Sequence, residues 1–582
     1  MDPSEYFTSL PTVAHKQYEA MRAFFYEKQP AAEVAERFGY TVSAVYGLAR
    51  NFRRHLKDHP DIDFFFTVKP TGRPVQSPPE QSALDEDILA LRKQNYSTPE
   101  ITSMLQAKGH KANYNYVYDL LMREGFARLP RRTKTERQEL KVVRLEAPKA
   151  QAWDGAEEYF DTQHAGLLCF LPILRHYGID ELIRSSDYPQ TREISRLSAI
   201  LSFLALKLSN VRRYSADDLW CMDRGSGLFA GLNVLPKAAW FSSYSHRVTR
   251  QMNLDFLRRL HRRWLGHGLL GDTANLDFTA IPYWGDEDGH LENNWSGKRS
   301  KALASMLAVL AHDPDTGIID YGHTDVQRQS EAQVVLEYLD FYRADDPDGK
   351  ALKYLVFDSR FTNYENLAQL DERNVKFITI RRRGKNMIRQ IEQMPASDWK
   401  TLRVEAAGNR KRTLKAADQT IFLPGYGKDI RQVVITGHGK IKPALIISND
   451  FAIPLEQIVR KYCRRWLIEK SISEQIDFFH LNRLSSSMVI KVDFDLVMTI
   501  LAHNLYRLLA LELGRYQHLA DQSVFDRFIY NAGTISISMN DIRIFLKKKR
   551  DLPQILTAMS EYQFDYPWLH DKRLAFEGAS FT

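Results

Sequence analysis

A chain of 582 residues is too long for one compact domain and suits three or four. Its hydrophobic fraction of 44% can supply ordinary cores, and a net charge of +8 with a pI near 9.0 suits a polyanionic partner such as nucleic acid. Cys169, Cys221 and Cys463 lie far apart with no CxxC pair, which argues against a zinc or disulfide framework and for a reducing compartment.

Residues 1–60 are expected to form a first DNA-binding module. The start, Met1-Asp2-Pro3-Ser4-Glu5, is acidic and polar and does not read as a signal peptide. Residues 14–57 look helical, and Ala31 to Arg50 has a helix-turn-helix pattern. Val34, Ala35 and Phe38 give the first helix an apolar face, and Gly39 takes the turn, where a positive φ is needed. Val42, Val45 and Leu48 then repeat at i, i+3, i+6. The exposed side of this second helix offers Thr41, Ser43, Ala44 and Tyr46, then Arg50, Arg53, Arg54 and Lys57. Small polar residues followed by basic ones suit a helix that enters the major groove and grips phosphates at its end. An ordinary helical hairpin is the alternative.

Residues 61–81 are linker-like, punctuated by Pro70, Gly72, Pro74, Pro78 and Pro79. Arg73 within Gly72-Arg73-Pro74 suits an arm that enters the minor groove, and a plain linker accounts for it equally well. Residues 82–135 repeat the first theme. Ser97 and Glu100 form a capping box, Ile101, Met104 and Leu105 an apolar face, Gly109 a turn, and Tyr116, Val117, Leu120 and Leu121 the next helix. Arg131 and Arg132, in the basic exit from this module, suit a connector that tracks phosphates; a solvated charge run is the bland alternative.

Residues 136–270 look helical, with Ile194 to Leu208 and Leu254 to Leu265 as clear runs. The apolar run Leu197 to Leu208 is interrupted by Lys207 and is too short to span a bilayer, so a soluble intracellular protein without a membrane partner is expected. Trp220, Phe229 and Trp240 read as core, and Arg258, Arg259, Arg262 and Arg263 as a solvated face. From 271 to 495 strands alternate with helices, which predicts an α/β domain. Strands are expected at Ala274–Ile281, Ala304–Ala311, Tyr354–Phe357 and Val375–Ile380, with a β insertion at about 400–448. Residues 496–582 read as a helical C-terminal region with a basic patch, Lys547 to Arg550.

The chemistry concentrates in three places. Tyr462, Arg465 and Glu469 are spaced i, i+3, i+7, which aligns a phenol, a guanidinium and a carboxylate on one helix face. Asp277 stands between apolar residues on a short strand, and Asp358 ends the apolar run Tyr354-Leu355-Val356-Phe357. A buried carboxylate is costly unless it is paired or metal-bound. Two strand aspartates and a helix glutamate can converge on two divalent ions about 4 Å apart, an arrangement suited to in-line phosphoryl transfer. Oxygen ligands favour magnesium, with manganese able to substitute, over zinc. A cap or turn role is the alternative for Asp358.

Between about 210 and 510 the chain resembles the bacterial DDE insertion-sequence transposases marked by a Tyr-x2-Arg-x3-Glu-x6-Lys signature. The resemblance rests on Leu276-Asp277-Phe278-Thr279, on Phe357-Asp358-Ser359-Arg360-Phe361 with Tyr364-Glu365-Asn366-Leu367, and on Tyr462, Arg465 and Glu469; Phe229 to Pro236 also looks familial. It implies a ribonuclease-H-like catalytic domain with a β insertion. Asp277, Asp358 and Glu469 would hold two Mg2+ ions, and Tyr462 and Arg465 would contact the DNA phosphate near the cleaved end. Trp466 would stack on a base displaced from the terminus, with a core role as the alternative. The signature lysine is replaced by Ile476, so that contact is missing; Lys470, Arg483 and Lys491 are cations that sequence alone cannot assign to its place.

The implied protein is a cytoplasmic, nucleoid-associated bacterial enzyme. It binds terminal inverted repeats, cleaves the ends and joins the 3′-hydroxyls to target DNA as a homodimer on double-stranded DNA. Two rivals stand beside it: a metal-dependent nuclease of the same fold, and a DNA-binding regulator derived from a transposase.

Overall fold

The computed structural model describes residues 13–58, 64–65, 79–93, 96–107, 110, 112–126, 149–211, 220–282, 292–296, 301–344, 352–406, 410–438, 443–481 and 489–579. The chain divides into two compact units, Met1–Val143 and Arg144–Thr582.

Among the described residues, the N-terminal unit contains two three-helix modules. The first comprises α1 (Val13–Phe25), α2 (Ala31–Phe38) and α3 (Val42–Asp58) around Met21, Val34, Ala35, Phe38, Val45 and Ala49. Gly39 ends α2 at φ 61° and ψ 42°, the left-handed conformation its place in the turn predicts. Two expectations shift here. Val42 is exposed rather than core, because the buried face of α3 runs Val45 to Ala49. Thr41 serves as the N-cap of α3, its hydroxyl accepting the Ala44 N–H at 3.2 Å. The second module comprises α4 (Pro79–Lys93), α5 (Thr98–Ala107) and α6 (Tyr114–Arg123), packed through Ile88, Ile101, Leu105, Val117, Leu120 and Leu121. The Ser97 N–H and hydroxyl both donate to the Glu100 carboxylate at 2.7 Å, so Glu100 plays its capping-box part. Gly109 lies outside the described residues.

The C-terminal unit opens with β1 (Glu158–Thr162), followed by helices that include α7 (Arg196–Leu208) and α8 (Arg250–Gly266). A large sheet follows: β2 (Thr273–Pro282), β3 (Glu292–Ser296), β4 (Lys301–His312), β5 (Ile319–Val326), β6 (Tyr354–Phe357) and β7 (Lys376–Ile380), with α9 (Val334–Arg343) before β6 and α10 (Tyr364–Glu372) after it. It continues through β8 (Lys400–Ala406), β9 (Arg410–Leu423), β10 (Lys428–Thr436) and β11 (Ala444–Ser448). Two long helices come next, α11 (Leu455–Phe478) and α12 (Val489–Glu512), and then β12 (Gly533–Ile537), β13 (Asp541–Leu546), β14 (Asp565–Tyr566) and β15 (Lys572–Gly578).

In the sheet, β2 pairs antiparallel with β4 and β4 with β5, whereas β2–β6 and β6–β7 are parallel. The strands at 400–448 do not form a unit of their own. β11 pairs antiparallel with β7, and β10, β9 and β8 follow outward, so one ten-stranded sheet results.

Strand periodicity explains how this sheet is covered. All of β6 is buried, but alternate residues serve different cores: Leu355 and Phe357 join the main core, Tyr354 and Val356 a second one on the opposite face. That second core is closed by Ile458, Val459 and Tyr462 of α11.

The expected boundaries at 270 and 495 do not separate units. One apolar core runs from Trp153 through Ile200 of α7, Val309 of β4 and Leu501 of α12 to Leu569. Among the described residues, α12 is the helix long and apolar enough, over Val492–Glu512, to be weighed as a membrane span, yet 89% of its apolar window is buried in this core.

The C-terminal region also carries strands that a helical reading leaves out: part of a second sheet, ordered β1-β12-β13-β15-β14, stands there beside helical segments such as α12 and Leu552–Ser560. Ile535, Ile537, Ile542, Ile544 and Leu546 are buried at every second position, the signature of half-buried strands. At Gly533 a Cβ would lie 2.2 Å from the Phe545 carbonyl oxygen and 2.8 Å from the Ala165 Cβ. Gly533→Ala is therefore expected to destabilise this unit by roughly 3 kcal/mol, through overpacking against backbone that cannot retreat. Gly266→Ala, where a Cβ meets nothing within 4 Å, serves as the control. Thermal unfolding of the two variants should diverge; equal midpoints would contradict the close approach.

Candidate active site

Both aspartates follow a register pair of β2 and β6. Leu276 and Phe357 are direct partners in the parallel β2–β6 register, and both enter the main core. Asp277 comes next on β2, where Arg465 of α11 reaches it, and Asp358 comes next after the last residue of β6. β6 ends at Phe357 while β2 continues, so Asp358 opens the turn at the strand's carboxyl end.

That turn is firmly held. The Asp358 carbonyl accepts hydrogen bonds from the Thr379 hydroxyl at 3.2 Å and the Thr362 hydroxyl at 3.3 Å. Its carboxylate accepts the Arg360 N–H at 2.7 Å. Phe361 stacks on Phe278 with centroids 3.8 Å apart and an interplanar angle of 6°, which clamps the turn onto β2 beside Asp277. Arg360 lies over the Phe278 ring at 5.1 Å and is held by the Glu331 carboxylate. The sequence reading quoted Phe278, Arg360 and Phe361 without a role and missed Thr379 and Glu331. Their contacts join residues far apart in the chain, which local spacing does not reveal.

On α11, Tyr462 and Arg465 were expected at a DNA-facing surface. In the structure without DNA, Tyr462 is 1% exposed and the Arg465 side chain 3%. They continue the stripe of Ile458 and Val459, so the face they share points into the protein. Arg465 Nη1 lies 3.4 Å from Asp277 Oδ1, its Nη2 donates to the Tyr462 hydroxyl at 3.4 Å, and its guanidinium sits 5.3 Å from the centre of the Tyr462 ring. Glu469 follows one turn beyond Arg465 on the same helix; its side chain, like those of Trp466 and Ile476, lies outside the described residues. Helix and sheet are pinned together by Lys461, which donates to the Thr273 hydroxyl at 2.6 Å.

Behind Asp277, His312 of β4 uses Nδ1 to donate to the Asn275 carbonyl at 2.9 Å. Burial pushes this imidazole down to about 4, against that hydrogen bond, with His503 and Arg465 adding to the depression. It is therefore neutral at pH 7 and adds no positive charge to the site.

Among the described residues, no three His, Cys, Asp or Glu side chains gather to hold a metal. Asp277 on β2 and Asp358 in the turn after β6 nevertheless offer oxygen donors, and α11 carries a third carboxylate in Glu469. That donor chemistry fits a hard divalent cation.

Of the DNA-reading candidates, Thr41, Ser43, Tyr46, Arg50, Arg53 and Arg54 are exposed on or beside α3. Tyr46 is 58% exposed, and Arg53 lies 5.0 Å over the Phe25 ring. Arg73, Arg131 and Arg132 fall outside the described residues.

Residues 276–505 match the family model described as the transposase DDE domain. The match includes both aspartates, all of α11 and most of α12. No curated protein matches the chain. Among solved structures, the chain is similar to a piggyBac transposase in a cryo-EM synaptic complex with hairpin DNA. The TM-score is 0.35 at 12% identity, covering 69% of this chain and 84% of that one.

Proposed function

We propose that this chain is a DDE transposase that binds terminal inverted repeats, cleaves the element ends and joins the 3′-hydroxyls to target DNA. The observation that carries the reading is the β2–β6 register. Asp277 and Asp358 directly follow its Leu276–Phe357 pair, α11 reaches Asp277 through Arg465 and bears Glu469, and all three lie within residues that match a transposase domain. The strand order β5-β4-β2-β6-β7, antiparallel across the first three and parallel across the last two, supports a ribonuclease-H-like catalytic sheet.

Asp277, Asp358 and Glu469 are the residues that would hold two magnesium ions. The metals would supply activation of water or a 3′-hydroxyl and stabilisation of the leaving oxygen. Arg465 orients Asp277, and the clamped turn at Phe361 orients Asp358. In the N-terminal unit, α3 reads the end sequence with Ser43 and Tyr46 and holds phosphates with Arg50, Arg53 and Arg54. Two ends must be brought together, so the working assembly is a homodimer on double-stranded DNA. Action on chromosomal DNA places it in the bacterial cytoplasm, at the nucleoid.

The test is a cleavage-and-joining assay on DNA carrying the element's ends, with magnesium or manganese. Liberated 3′-hydroxyl ends and joined product are expected. End binding without nicking under either metal would overturn the reading in favour of a regulator. Removing residues 1–143 is expected to abolish the preference for end sequence over unrelated duplex in a competition binding assay. A truncated chain that still discriminates would remove α3 from its role.

A further inference from the structure

The outer side of α11 has a feature that cleavage chemistry does not use. A cavity of about 530 Å³ opens between this helix and the β8–β9 ribbon, lined by Arg403, Lys411, Arg460, Lys461 and Arg464 with Glu456 as the carboxylate among them. Glu456, Arg460 and Arg464 repeat every four residues, on a different side of α11 from Tyr462 and Arg465. Three of the cations are tied down: Arg460 to Glu456 at 2.7 Å, Lys461 to Asp272 at 3.4 Å, and Arg464 to Asp315. Arg403 and Lys411 are exposed and make no ion pair among the described residues. They stand on paired strands, with Arg403 opposite Thr413 and Lys411 opposite Glu405, and β8 forms the outer edge of the sheet.

With Arg460, Lys461 and Arg464 paired, Arg403 and Lys411 leave the cavity lining with excess positive charge, which a polyanion would offset. The cations come from a two-stranded ribbon and from a helix that together line one cavity. That suits successive phosphates of a nucleic-acid backbone. We infer that the channel between the β8–β9 ribbon and the outer side of α11 binds the phosphate backbone of duplex DNA away from the reacting phosphate. The inference rests on the transposase reading. Under it, α11 works with two sides: the inner one positions carboxylates, and the outer one carries duplex past them. The duplex can be the element's own end or the target, since both present the same backbone.

The experiment uses the full chain and the triple variant Arg403→Gln/Lys411→Gln/Arg460→Gln. Binding is measured against KCl concentration on two duplexes of equal length, one carrying the element end and one of unrelated sequence. Each lost phosphate contact lowers the slope of log K against log salt by about 0.9, so a reduction of about 2 to 3 is expected for the variant. A reduction confined to the end-bearing duplex assigns the channel to the end, and one confined to unrelated duplex assigns it to the target. Lys548→Gln/Arg550→Gln, in the C-terminal basic patch, is expected to leave both slopes unchanged. The thermal midpoint of the triple variant should match wild type, because the substituted side chains are exposed. A triple variant with wild-type slopes on both duplexes overturns the channel while leaving the transposase reading in place. A wild-type chain that binds no duplex overturns both.

Discussion

Asp358→Ala is expected to reduce magnesium-dependent cleavage of an end-bearing substrate by at least about 10³-fold while end binding stays at wild-type level. Loss of a metal-holding carboxylate removes several kcal/mol of transition-state stabilisation, and about 4 kcal/mol corresponds to three orders of magnitude. The fold should survive. The bonds from Thr362 and Thr379 reach the Asp358 carbonyl, which alanine retains, and the Phe278–Phe361 stack is untouched. Only the carboxylate's bond to the Arg360 N–H is lost, a cost of about 1 kcal/mol. Parallel thermal melts and single-turnover cleavage on a labelled end measure both quantities. Cleavage within tenfold of wild type would remove Asp358 from the metal-binding set.

Arg465→Ala is expected to be the most damaging single change on α11. The Arg465 side chain is 3% exposed and its partner Asp277 13%, so truncation removes the cation of a buried ion pair, although the Phe278 N–H still donates to Asp277 at 3.0 Å. Breaking such a pair costs about 3 kcal/mol or more. Arg465→Lys keeps the charge but loses the planar fork that reaches both Asp277 and the Tyr462 hydroxyl, and should fall between the two. The decisive measurement is a double-mutant cycle by denaturant unfolding with Asp277→Asn. If the two residues act as a pair, the double variant is more stable than the sum of single losses allows, by about 1 kcal/mol or more. Simple additivity would show that Arg465 acts on something other than Asp277.

The parts of this molecule legible in its sequence were those with local periodicity. Gly39 between two apolar faces, the capping pair Ser97 and Glu100, and the aspartates set in apolar strands all stand out in a short window. What the sequence could not show was direction. The i, i+3, i+7 spacing of Tyr462, Arg465 and Glu469 states that they share a face, and it does not state whether that face meets solvent or the sheet. Partnership was equally hidden. Strands β8 to β11 were visible as strands, but whether they join β7 or stand apart depends on a pairing between Ile446 and Ile380, 66 positions apart. β5 escaped notice because Asp320, His323 and Thr324 are buried in it, and a polar strand defeats a hydrophobic pattern. Asp320 is accommodated by His261 at 3.0 Å and the Tyr338 hydroxyl at 3.1 Å, partners supplied by distant helices. The C-terminal strands carried a readable alternation at Ile535 and Ile537, but it was too short to outweigh the helical signal before it.

The pairing of β1 with β12 sets a timetable for synthesis. The Thr534 hydroxyl donates to Asp161 at 2.7 Å across 373 residues of chain. At about 5 to 20 residues per second, β1 waits roughly 20 to 75 s for its partner strand to leave the ribosome. The N-terminal unit, Met1–Val143, leaves the ribosome long before that. A chain interrupted before β12 would then keep the segment proposed to read DNA and lack the strand that closes the C-terminal unit. Such a fragment is expected to occupy element ends without cutting them, so a premature stop before Gly533 would turn the proposed enzyme into its own competitor.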